Sequence, residues 1–370
     1  MKAGMFLMPS HPPERNPYDA QQYDLDVLSL ADELGFIEAW IGEHFTAIWE
    51  PVPAPDILIA QALLRTKNIK LGTGGHLLPF HHPVELAHRV AYLDHLAQGR
   101  FQFGIAAGGL PTDHEMFGVD MNAGEHRDRT REALEIILHT WKGEPLSEYQ
   151  GKYWNVKIPD PAVMEFASLK HFRTPYQQPH PPIGVASASP GSETLKLAGE
   201  KGYIPMSLGL GPAYLASHWE AVLEGAARGG RKKPERSEWR IVRDVWIADT
   251  DEEAMRGARE GMLYRAWEDY LYPLFAFGSY PFTASMKHDE SMATEDVTID
   301  YMAENIWLVG SPETVARKIR RLYEVAGGFG VLLMMVLDHS DDPSGWRKSM
   351  RLLTEQVLPK ISDLTGENTH

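Results

Sequence analysis

Short apolar segments alternate with longer amphipathic segments along most of the chain. Apolar residues that recur every three or four positions predict helices, and short apolar runs bounded by turn residues predict buried strands. Lys2–Met8 is therefore predicted to be a strand, and Asp19–Leu34 a helix that ends before Gly35. The further predicted strands are Ile37–Ile41, Ile69–Thr73, Phe101–Ala106, Ile183–Ala186, Tyr203–Ser207, Arg240–Ala248 and Val331–Leu337. The further predicted helices are Ala54–Arg65, Pro83–Ala97, Glu125–Trp141, Ser192–Glu200, Ala213–Ala227, Asp251–Tyr264 and Ser344–Ile361.

Eight strand–helix pairs follow one another in this pattern. Because each predicted strand returns after a helix, neighbouring strands should run parallel. Eight such pairs indicate an α/β fold of the (β/α)8 type, a TIM barrel, and the alternative is a doubly wound open sheet. We expect one domain over residues 1–370, with insertions near 143–182 and 267–301.

The chain is acidic and contains no cysteine. Its 370 residues include 36 Lys and Arg against 51 Asp and Glu, which gives a net charge of −15. A field of this sign repels phosphate backbones and anionic lipid headgroups, so we expect neither a nucleic acid nor a membrane as a partner. Without cysteine, disulfides, thiolate metal sites and cysteine nucleophiles are excluded.

No export or membrane segment is expected. The short apolar run that Pro9 closes lacks the length and the small-residue cleavage site of a signal peptide. The most apolar internal run, Val331–Leu337, is much shorter than the ~20 residues that a membrane-spanning helix needs. These features favour a cytoplasmic protein.

Small residues follow several of the predicted strands, at the barrel end where functional loops gather. Thr73 and Gly74 follow the third strand, and Ala107 and Gly108 follow the fourth. Small side chains let a flat ligand lie close to the backbone. A single loop of this kind would be interpreted as an ordinary tight turn, but three such loops favour a ligand site.

The third of these loops, Ser187–Ser192, leads directly into a predicted helix and is a candidate anion site. The first amide groups of a helix can bind an anion, and the helix dipole favours negative charge there. Ser189 and Ser192 add hydroxyl donors, and Gly191 permits close approach of a ligand. The alternative is an ordinary helix cap.

His44 is the leading candidate for a catalytic side chain because it follows the second predicted strand. An imidazole titrates near neutral pH and can donate or accept a proton. The neighbouring Glu43 would orient it or cap a turn. The alternative for His44 is a purely structural role.

Several histidines raise the alternative of a metal centre. The first strand carries no histidine, unlike the first strand of metallohydrolase barrels, and the sequence lacks a His-Glu-x-x-His zinc helix. We therefore expect no catalytic metal. A Gly-x-Ser-x-Gly nucleophile motif, a phosphate-binding P-loop and a Gly-x-Gly-x-x-Gly fingerprint are also absent from the sequence. The histidines considered are His76, His81, His82 and His114.

The segment Tyr270–Phe282 is unusually aromatic. Six of its residues are Tyr or Phe, and it also contains Gly278 and Pro281. Aromatic side chains in an irregular insertion favour a lid over an apolar substrate. Internal packing or a subunit interface is the alternative.

Several blocks of the sequence resemble one known family. Leu71–Pro83 reads Leu-Gly-Thr-Gly-Gly-His-Leu-Leu-Pro-Phe-His-His-Pro, and Leu93–Gly104 reads Leu-Asp-His-Leu-Ala-Gln-Gly-Arg-Phe-Gln-Phe-Gly. With the Glu-His pair that ends at His44 and a Gly-Ser-Pro-Glu segment at Gly310, these blocks resemble the bacterial luciferase-like flavin monooxygenases. The block that starts at Ala107, Ala-Gly-Gly-Leu-Pro-Thr-Asp, is similar to the limonene and diketocamphane monooxygenase branch.

The resemblance implies a barrel that binds reduced FMN (FMNH2), which a separate NAD(P)H:flavin reductase supplies. In this family O2 adds at flavin C4a, and the resulting peroxide oxygenates an organic substrate. The branch suggests a small apolar substrate such as a cyclic terpenoid. The resemblance also implies a homodimer.

The resemblance also assigns roles to particular residues. His44 would hydrogen-bond or protonate near the reactive flavin carbon. Thr73 and Gly74 fall where the family often has a cis peptide bond against the flavin ring. The residues that would hold the FMN phosphate are Ser187, Ala188, Ser189, Gly191 and Ser192.

The chain departs from luciferase at Ala107, where luciferase has an arginine. The phosphate would then depend on backbone amides, hydroxyl groups or another cation, such as Arg127 or Arg131. Three other functions stay open on this sequence: hydride transfer with a deazaflavin, flavin binding without turnover, and metal-dependent hydrolysis.

Overall fold

The computed structural model describes residues 1–144, 146–158, 174–277 and 282–366 and contains a closed barrel of eight parallel strands. The strands are β1 (Lys2–Ser10), β2 (Glu38–Ile41), β3 (Lys70–Thr73), β4 (Phe101–Ala106), β5 (Ile183–Ser187), β6 (Ile204–Leu208), β7 (Arg240–Arg243) and β8 (Val331–Leu337). Each strand pairs with the next in this order, and β8 pairs with β1. The predicted TIM barrel is confirmed, and closure excludes the open sheet.

Helices on the outside of the barrel connect the strands. They are α1 (Pro17–Glu33), α2 (Pro55–Arg65), α3 (Pro83–Ala97), α4 (Glu125–Trp141), α5 (Glu193–Lys201), α6 (Pro212–Arg228), α7 (Pro312–Ala326) and α8 (Pro343–Leu352). Most of them begin with proline, which suits a helix start because it needs no amide hydrogen there. Within the described ranges, no helix is long and apolar enough to cross a membrane.

Shorter elements occupy the loops and insertions. The short helices are Pro111–Met116, Asp251–Glu260, Met262–Ala266, Tyr272–Phe275, Ile299–Asn305 and Leu358–Lys360, with wide π turns at Trp267–Leu271 and Leu353–Val357. Tight 3-10 turns occur at Leu78–Phe80, Arg236–Glu238, Phe282–Met286 and Thr294–Asp296. The short strands are His76–Leu77, Leu146–Gln150, Asn155–Ile158, Val245–Ile247 and Leu308–Gly310.

Trp40, on β2, fills the interior of the barrel and is fully buried. A Cβ atom on Gly72 would lie 2.7 Å from its ring, and one on Gly184 would lie 2.6 Å from it. Strands β3 and β5 therefore need glycine opposite the indole, because any larger residue would collide with it. The other buried members of this interior cluster are Phe6, Met206, Val242, Val331 and Leu333.

An ion pair closes the amino-terminal end of the barrel interior. The guanidinium of Arg240 donates to both carboxylate oxygens of Glu38, at 2.9 and 3.1 Å. The indole N–H of Trp40 also donates to Glu38, at 3.1 Å. Glu38 is 2% exposed, so its charge depends on these partners.

The seventh strand–helix pair differs from the prediction. The predicted strand Arg240–Ala248 divides at Asp244, whose carbonyl accepts the Leu308 amide, and the second part pairs with Leu308–Gly310 outside the barrel. The predicted helix Asp251–Tyr264 ends at Glu260, because Gly261 has extended backbone geometry. The connection to β8 is helix α7, which the sequence pattern did not predict.

Residues outside the eight barrel strands and their helices lie in both predicted insertions. In the first, a hairpin of Leu146–Gln150 and Asn155–Ile158 lies against α4, where Glu132 accepts the amides of residues 152–154. Residues 145 and 159–173 of that insertion lie outside the described residues. In the second insertion, residues 278–281 also lie outside the described residues.

We predict that Arg240→Met destabilises the fold by about 3–5 kcal/mol, because it leaves the buried Glu38 carboxylate without its partner. Denaturant unfolding would measure this loss. Arg65→Met is the matched control: Arg65 pairs with Asp26 on the surface, where an ion pair contributes less than about 1 kcal/mol. Equal losses in the two variants would contradict the importance of the interior pair.

Candidate functional site

His44 lies in the loop after β2, at the carboxyl end of the barrel, between two acidic side chains. Its Nε2 is 3.0 Å from a carboxylate oxygen of Glu50, and its Nδ1 is 3.2 Å from one of Asp113. Glu50 belongs to the same loop, whereas Asp113 comes from the short helix after β4. Both carboxylates are buried, and 14% of the His44 side chain is exposed. The imidazole is thus held by opposite charges while one edge stays accessible.

These surroundings keep His44 positively charged. Burial by itself would lower its pKa, but the charges of Glu50 and Asp113 outweigh burial and raise the pKa of His44 to about 10. Burial would raise the pKa of Asp113, yet hydrogen bonds from His44 and Thr46 lower it. At neutral pH His44 is therefore an imidazolium that can donate hydrogen bonds but cannot accept a proton.

Glu43 binds two other histidines instead of orienting His44. Its carboxylate accepts from Nδ1 of His76 at 2.7 Å and from Nε2 of His81 at 2.6 Å. Burial would raise the pKa of Glu43, but these hydrogen bonds outweigh burial and lower the pKa to about 2. The expectation that Glu43 positions the His44 imidazole was wrong.

Glu43, His76 and His81 also form a group with the spacing of metal ligands. Their ligand atoms lie within 4.8 Å of one another, and His82 and His114 do not belong to the group. The two short contacts have the length of hydrogen bonds, and a guanidinium nitrogen of Arg89 lies 3.4 Å from the second nitrogen of His81. We interpret the group as a hydrogen-bonded triad, and the absence of a catalytic metal stays a prediction.

The loop after β3 carries a cis peptide bond, but at a different position from the one expected. The bond lies between Gly74 and Gly75 and not between Thr73 and Gly74. The amide of Gly74 still donates to the Ile41 carbonyl at 2.5 Å, so the strand pairing continues through Gly74 and the irregular bond follows it. Thr73 is fully buried, and its hydroxyl donates to the Gly104 carbonyl at 2.7 Å.

The loop after β4 contains Ala107 and Gly108, both half-buried. His114 lies directly behind this loop: a Cβ atom on Gly108 would be 3.0 Å from its Nε2. Arg131, one of the cations considered for the family's missing arginine, is 78% exposed and pairs with Asp128 on α4. Its positive charge is therefore already paired at the protein surface.

The loop Ser187–Ser192 has the form expected of an anion site. Ser189 and Gly191 are exposed, and Gly191 has φ +60°, a conformation that favours glycine. Ser192 caps α5, because its hydroxyl accepts the Leu195 amide at 3.4 Å. Among the described residues, the amides of Ser192, Glu193 and Thr194 have no hydrogen-bond partner. Three donors at a helix start are thus available to a ligand.

The aromatic insertion lies along the rim of the barrel between the loop of His44 and the loop Ser187–Ser192, the anion loop. At one end the Tyr270 ring stacks on Trp49, with ring centres 6.0 Å apart. Burial, with the charge of Glu50, raises the pKa of Tyr270 far above its usual range. At the other end the Ser285 hydroxyl, which donates to the Phe282 carbonyl at 2.8 Å, lies 3.4 Å from the Ala188 carbonyl oxygen. Gly278, Tyr280 and Pro281, which were part of the predicted lid, lie outside the described residues.

Apolar side chains form the floor of the space that these loops surround. Met8, Ala186, Leu208 and Met335 come from the carboxyl-terminal parts of four different strands and are half-buried. They pack on the interior cluster around Trp40. The site therefore combines an apolar base with a cationic imidazole and a loop whose helix-start amides are without partners among the described residues.

Sequence reasoning missed Glu50 and Asp113, the two carboxylates that determine the charge of His44. Glu50 lies in an irregular loop with no periodic pattern, and Asp113 is 69 residues from His44 along the chain. One signal was available: Asp113 follows a barrel strand, and polar residues after barrel strands gather at the same end.

Comparison with known proteins identifies the family of this chain. A family model described as luciferase-like monooxygenase matches residues 1–328. The 2,5-diketocamphane 1,2-monooxygenase 1 of Pseudomonas putida is 35% identical over 367 residues, which cover 98% of this chain and 99% of that protein. The limonene 1,2-monooxygenase of Rhodococcus erythropolis is 31% identical over 369 residues, which cover 98% of this chain and 87% of that protein.

One solved structure is also closely similar. It is described as a type II Baeyer–Villiger monooxygenase, the oxygenating constituent of 3,6-diketocamphane monooxygenase from the CAM plasmid of Pseudomonas putida, in complex with FMN. It is 35% identical, covers 97% of this chain and 98% of that chain, and superposes with a TM-score of 0.90. The likeness spans nearly the whole chain. The chain therefore belongs to the luciferase-like monooxygenase family and is a flavin-dependent monooxygenase.

Proposed function

We propose that the protein is the oxygenase of a two-component system that uses FMNH2 and O2 to oxygenate a small apolar substrate, such as a cyclic terpenoid ketone. The observation that carries this proposal is the arrangement at the barrel mouth, where the His44 imidazolium and the free amides of α5 border an apolar floor. The relatives named for diketocamphane and limonene support a cyclic substrate.

The residues present fit FMN. The amides of Ser192, Glu193 and Thr194 would bind the phosphate, together with the exposed hydroxyl of Ser189. The half-buried Gly74 and Ala107 would border the flat ring system. Backbone amides and hydroxyls would thus hold the anion where luciferase uses an arginine.

Bound FMNH2 would supply the electrons that activate O2 for transfer of one oxygen atom. The protein would supply a positive charge and a dry surface for this reaction. The charge of the His44 imidazolium would stabilise negative charge that develops on oxygen, and Glu50 and Asp113 would keep the ring protonated. The floor of Met8, Leu208 and neighbouring side chains would hold the apolar substrate and exclude water.

A separate NAD(P)H:flavin reductase would supply FMNH2. The similar solved structure is called the oxygenating constituent of its system, which supports a division of labour between two proteins. Because the chain has no cysteine and the reductase consumes NAD(P)H, we place both proteins in the cytoplasm.

The protein would act as a homodimer that buries a face of α2 and α3. Large apolar side chains are exposed there: Ile57 and Leu64 on α2 are 60% and 90% exposed, and Tyr92 and Leu96 on α3 are 54% and 51% exposed. Each pair recurs at helical spacing, so each shares one face of its helix. Apolar surface in this arrangement fits a second copy of the chain.

The proposed reaction predicts that His44→Ala lowers product formation by roughly 10²-fold or more, because the positive charge of the imidazolium is lost. The protein would be incubated with a flavin reductase, NADH, FMN and a panel of cyclic ketones and alkenes, with products read by mass. FMN binding should persist in the variant. His82→Ala is the matched control, since His82 is exposed at the start of α3. Unchanged product yield in His44→Ala would remove His44 from the mechanism.

Because of Glu50 and Asp113, we predict that His44 loses its proton only at unusually high pH. Because its pKa in the folded protein is raised to about 10, its charge should persist at neutral pH and be lost only as the pH rises through that value. Asp113→Asn should move this titration, and the alkaline limb of the rate profile, to lower pH. Imidazole NMR would measure the titration, with Asp26→Asn on the surface as the control. Titration of His44 near its ordinary value in the unaltered protein would contradict the role of the carboxylates.

The dimer predicts that the double variant Leu64→Lys with Leu96→Lys is a monomer, because charged side chains would be buried at the interface. Sedimentation velocity would measure the oligomeric state. Val325→Lys is the control, because Val325 is 37% exposed on α7, away from the proposed face. A dimer that survives the double variant would place the interface elsewhere.

A further inference from the structure

A buried histidine lies behind the anion loop and connects it to the barrel. His218, on α6, is fully buried, and its two ring nitrogens face different partners. Nε2 is 2.8 Å from the backbone carbonyl oxygen of Ser189, in the anion loop. Nδ1 is 2.8 Å from the hydroxyl of Ser207, on β6.

The Ser189 carbonyl determines which nitrogen of His218 carries the proton. A carbonyl oxygen can only accept, so Nε2 carries the proton and donates to it. Nδ1 of the neutral imidazole then has no proton and accepts from the Ser207 hydroxyl. The indole N–H of Trp239 donates to the oxygen of the same hydroxyl at 2.8 Å.

His218 is neutral at working pH. Burial lowers its pKa to about 4, although the hydrogen bond to the Ser189 carbonyl acts in the opposite direction. A neutral imidazole adds no charge beside the loop. His218 therefore acts on the loop only through the direction of its two hydrogen bonds. The preceding residue, Ser217, accepts the Gly191 amide at 3.3 Å, so α6 contacts the loop at two consecutive positions.

These contacts separate the polar groups of the loop onto two sides. The Ser189 carbonyl is bound from behind by His218, and the Ala188 carbonyl oxygen lies 3.4 Å from the Ser285 hydroxyl. The amides of Ser192 and Thr194 stay without partners among the described residues. A carbonyl oxygen turned toward a phosphate would repel it, and an imidazole N–H that binds this carbonyl prevents that orientation.

We propose that His218 is a positioning residue for FMN phosphate binding, which holds the Ser189 carbonyl away from the anion and thereby presents the loop amides to it. This inference rests on the proposed FMN function. It assigns a role to a side chain that would not itself touch the ligand. It also explains why an acidic chain can bind a phosphate here without an added cation.

Two substitutions separate the two hydrogen bonds of His218. A glutamine amide nitrogen reaches about as far from the backbone as Nε2, so His218→Gln can still donate to the Ser189 carbonyl. An asparagine amide reaches only as far as Nδ1, so His218→Asn keeps the Ser207 contact and loses the loop contact. Affinities for FMN and for riboflavin, which lacks the phosphate, would be measured for both variants by flavin fluorescence.

We expect His218→Asn to weaken FMN binding roughly tenfold, the scale of one lost hydrogen bond to a buried carbonyl, with riboflavin binding unchanged. His218→Gln should keep FMN affinity within about threefold of the unaltered protein. His339→Asn is the matched control, because His339 is another buried neutral histidine, stacked on Trp346, whose burial lowers its pKa to about 3. It should leave the FMN-to-riboflavin ratio unchanged.

The inference is overturned if His218→Asn keeps the ratio of the unaltered protein, or lowers FMN and riboflavin affinity equally. Should the variants fail to fold, imidazole NMR of the unaltered protein decides: an Nε2 proton on His218 that shifts with FMN but not with riboflavin supports the role, and its absence overturns it. Failure of the proposed function looks different. In that case the unaltered protein would not prefer FMN to riboflavin, and Gly191→Val would not change FMN affinity.

Discussion

Closure of the barrel by the pairing of β1 with β8 is the constraint on which the rest of the structure depends. Residues 2 to 7 of β1 pair in parallel with residues 331 to 336 of β8, more than 320 positions away in the chain. Once the sheet is closed and all strands are parallel, every strand ends at the same face. The side chains after β2, β4 and β5 must then gather around one mouth, and the interior must be filled, which Trp40 achieves opposite two glycines.

Buried pairs of opposite charge determine the electrostatics at this end of the barrel. His44 lies between two carboxylates and is positive, whereas Glu43, the preceding residue, lies between two imidazoles and is negative. In both cases burial acts against the charge and the paired partners outweigh it. Two adjacent residues of one loop thus carry opposite charges because their partners differ, and of the two only His44 is partly exposed.

The anion loop shows a different solution, which uses neutral groups. A chain with a net charge of −15 does not attract phosphate by its overall field. Local backbone amides can still do so, provided that their carbonyls are directed elsewhere. Trp239, Ser207 and His218 form a one-way series of hydrogen bonds whose last donor binds the Ser189 carbonyl. Under the proposed function, orientation of dipoles would take the place that an arginine has in luciferase.

The sequence alone determined the order of strands and helices, the barrel class, the family and the start of α5 at Ser192, because these depend on local periodicity, on capping and on motifs read along the chain. It also placed His44 and the loop Ser187–Ser192 after barrel strands. Only the tertiary structure decided that Asp113 reaches His44, that Glu43 binds His76 and His81, and that His218 lies behind Ser189. It also moved the cis bond to Gly74–Gly75 and revealed α7 as the connection to β8. These features depend on contacts between segments that are distant in sequence, and such contacts exist only after the barrel closes.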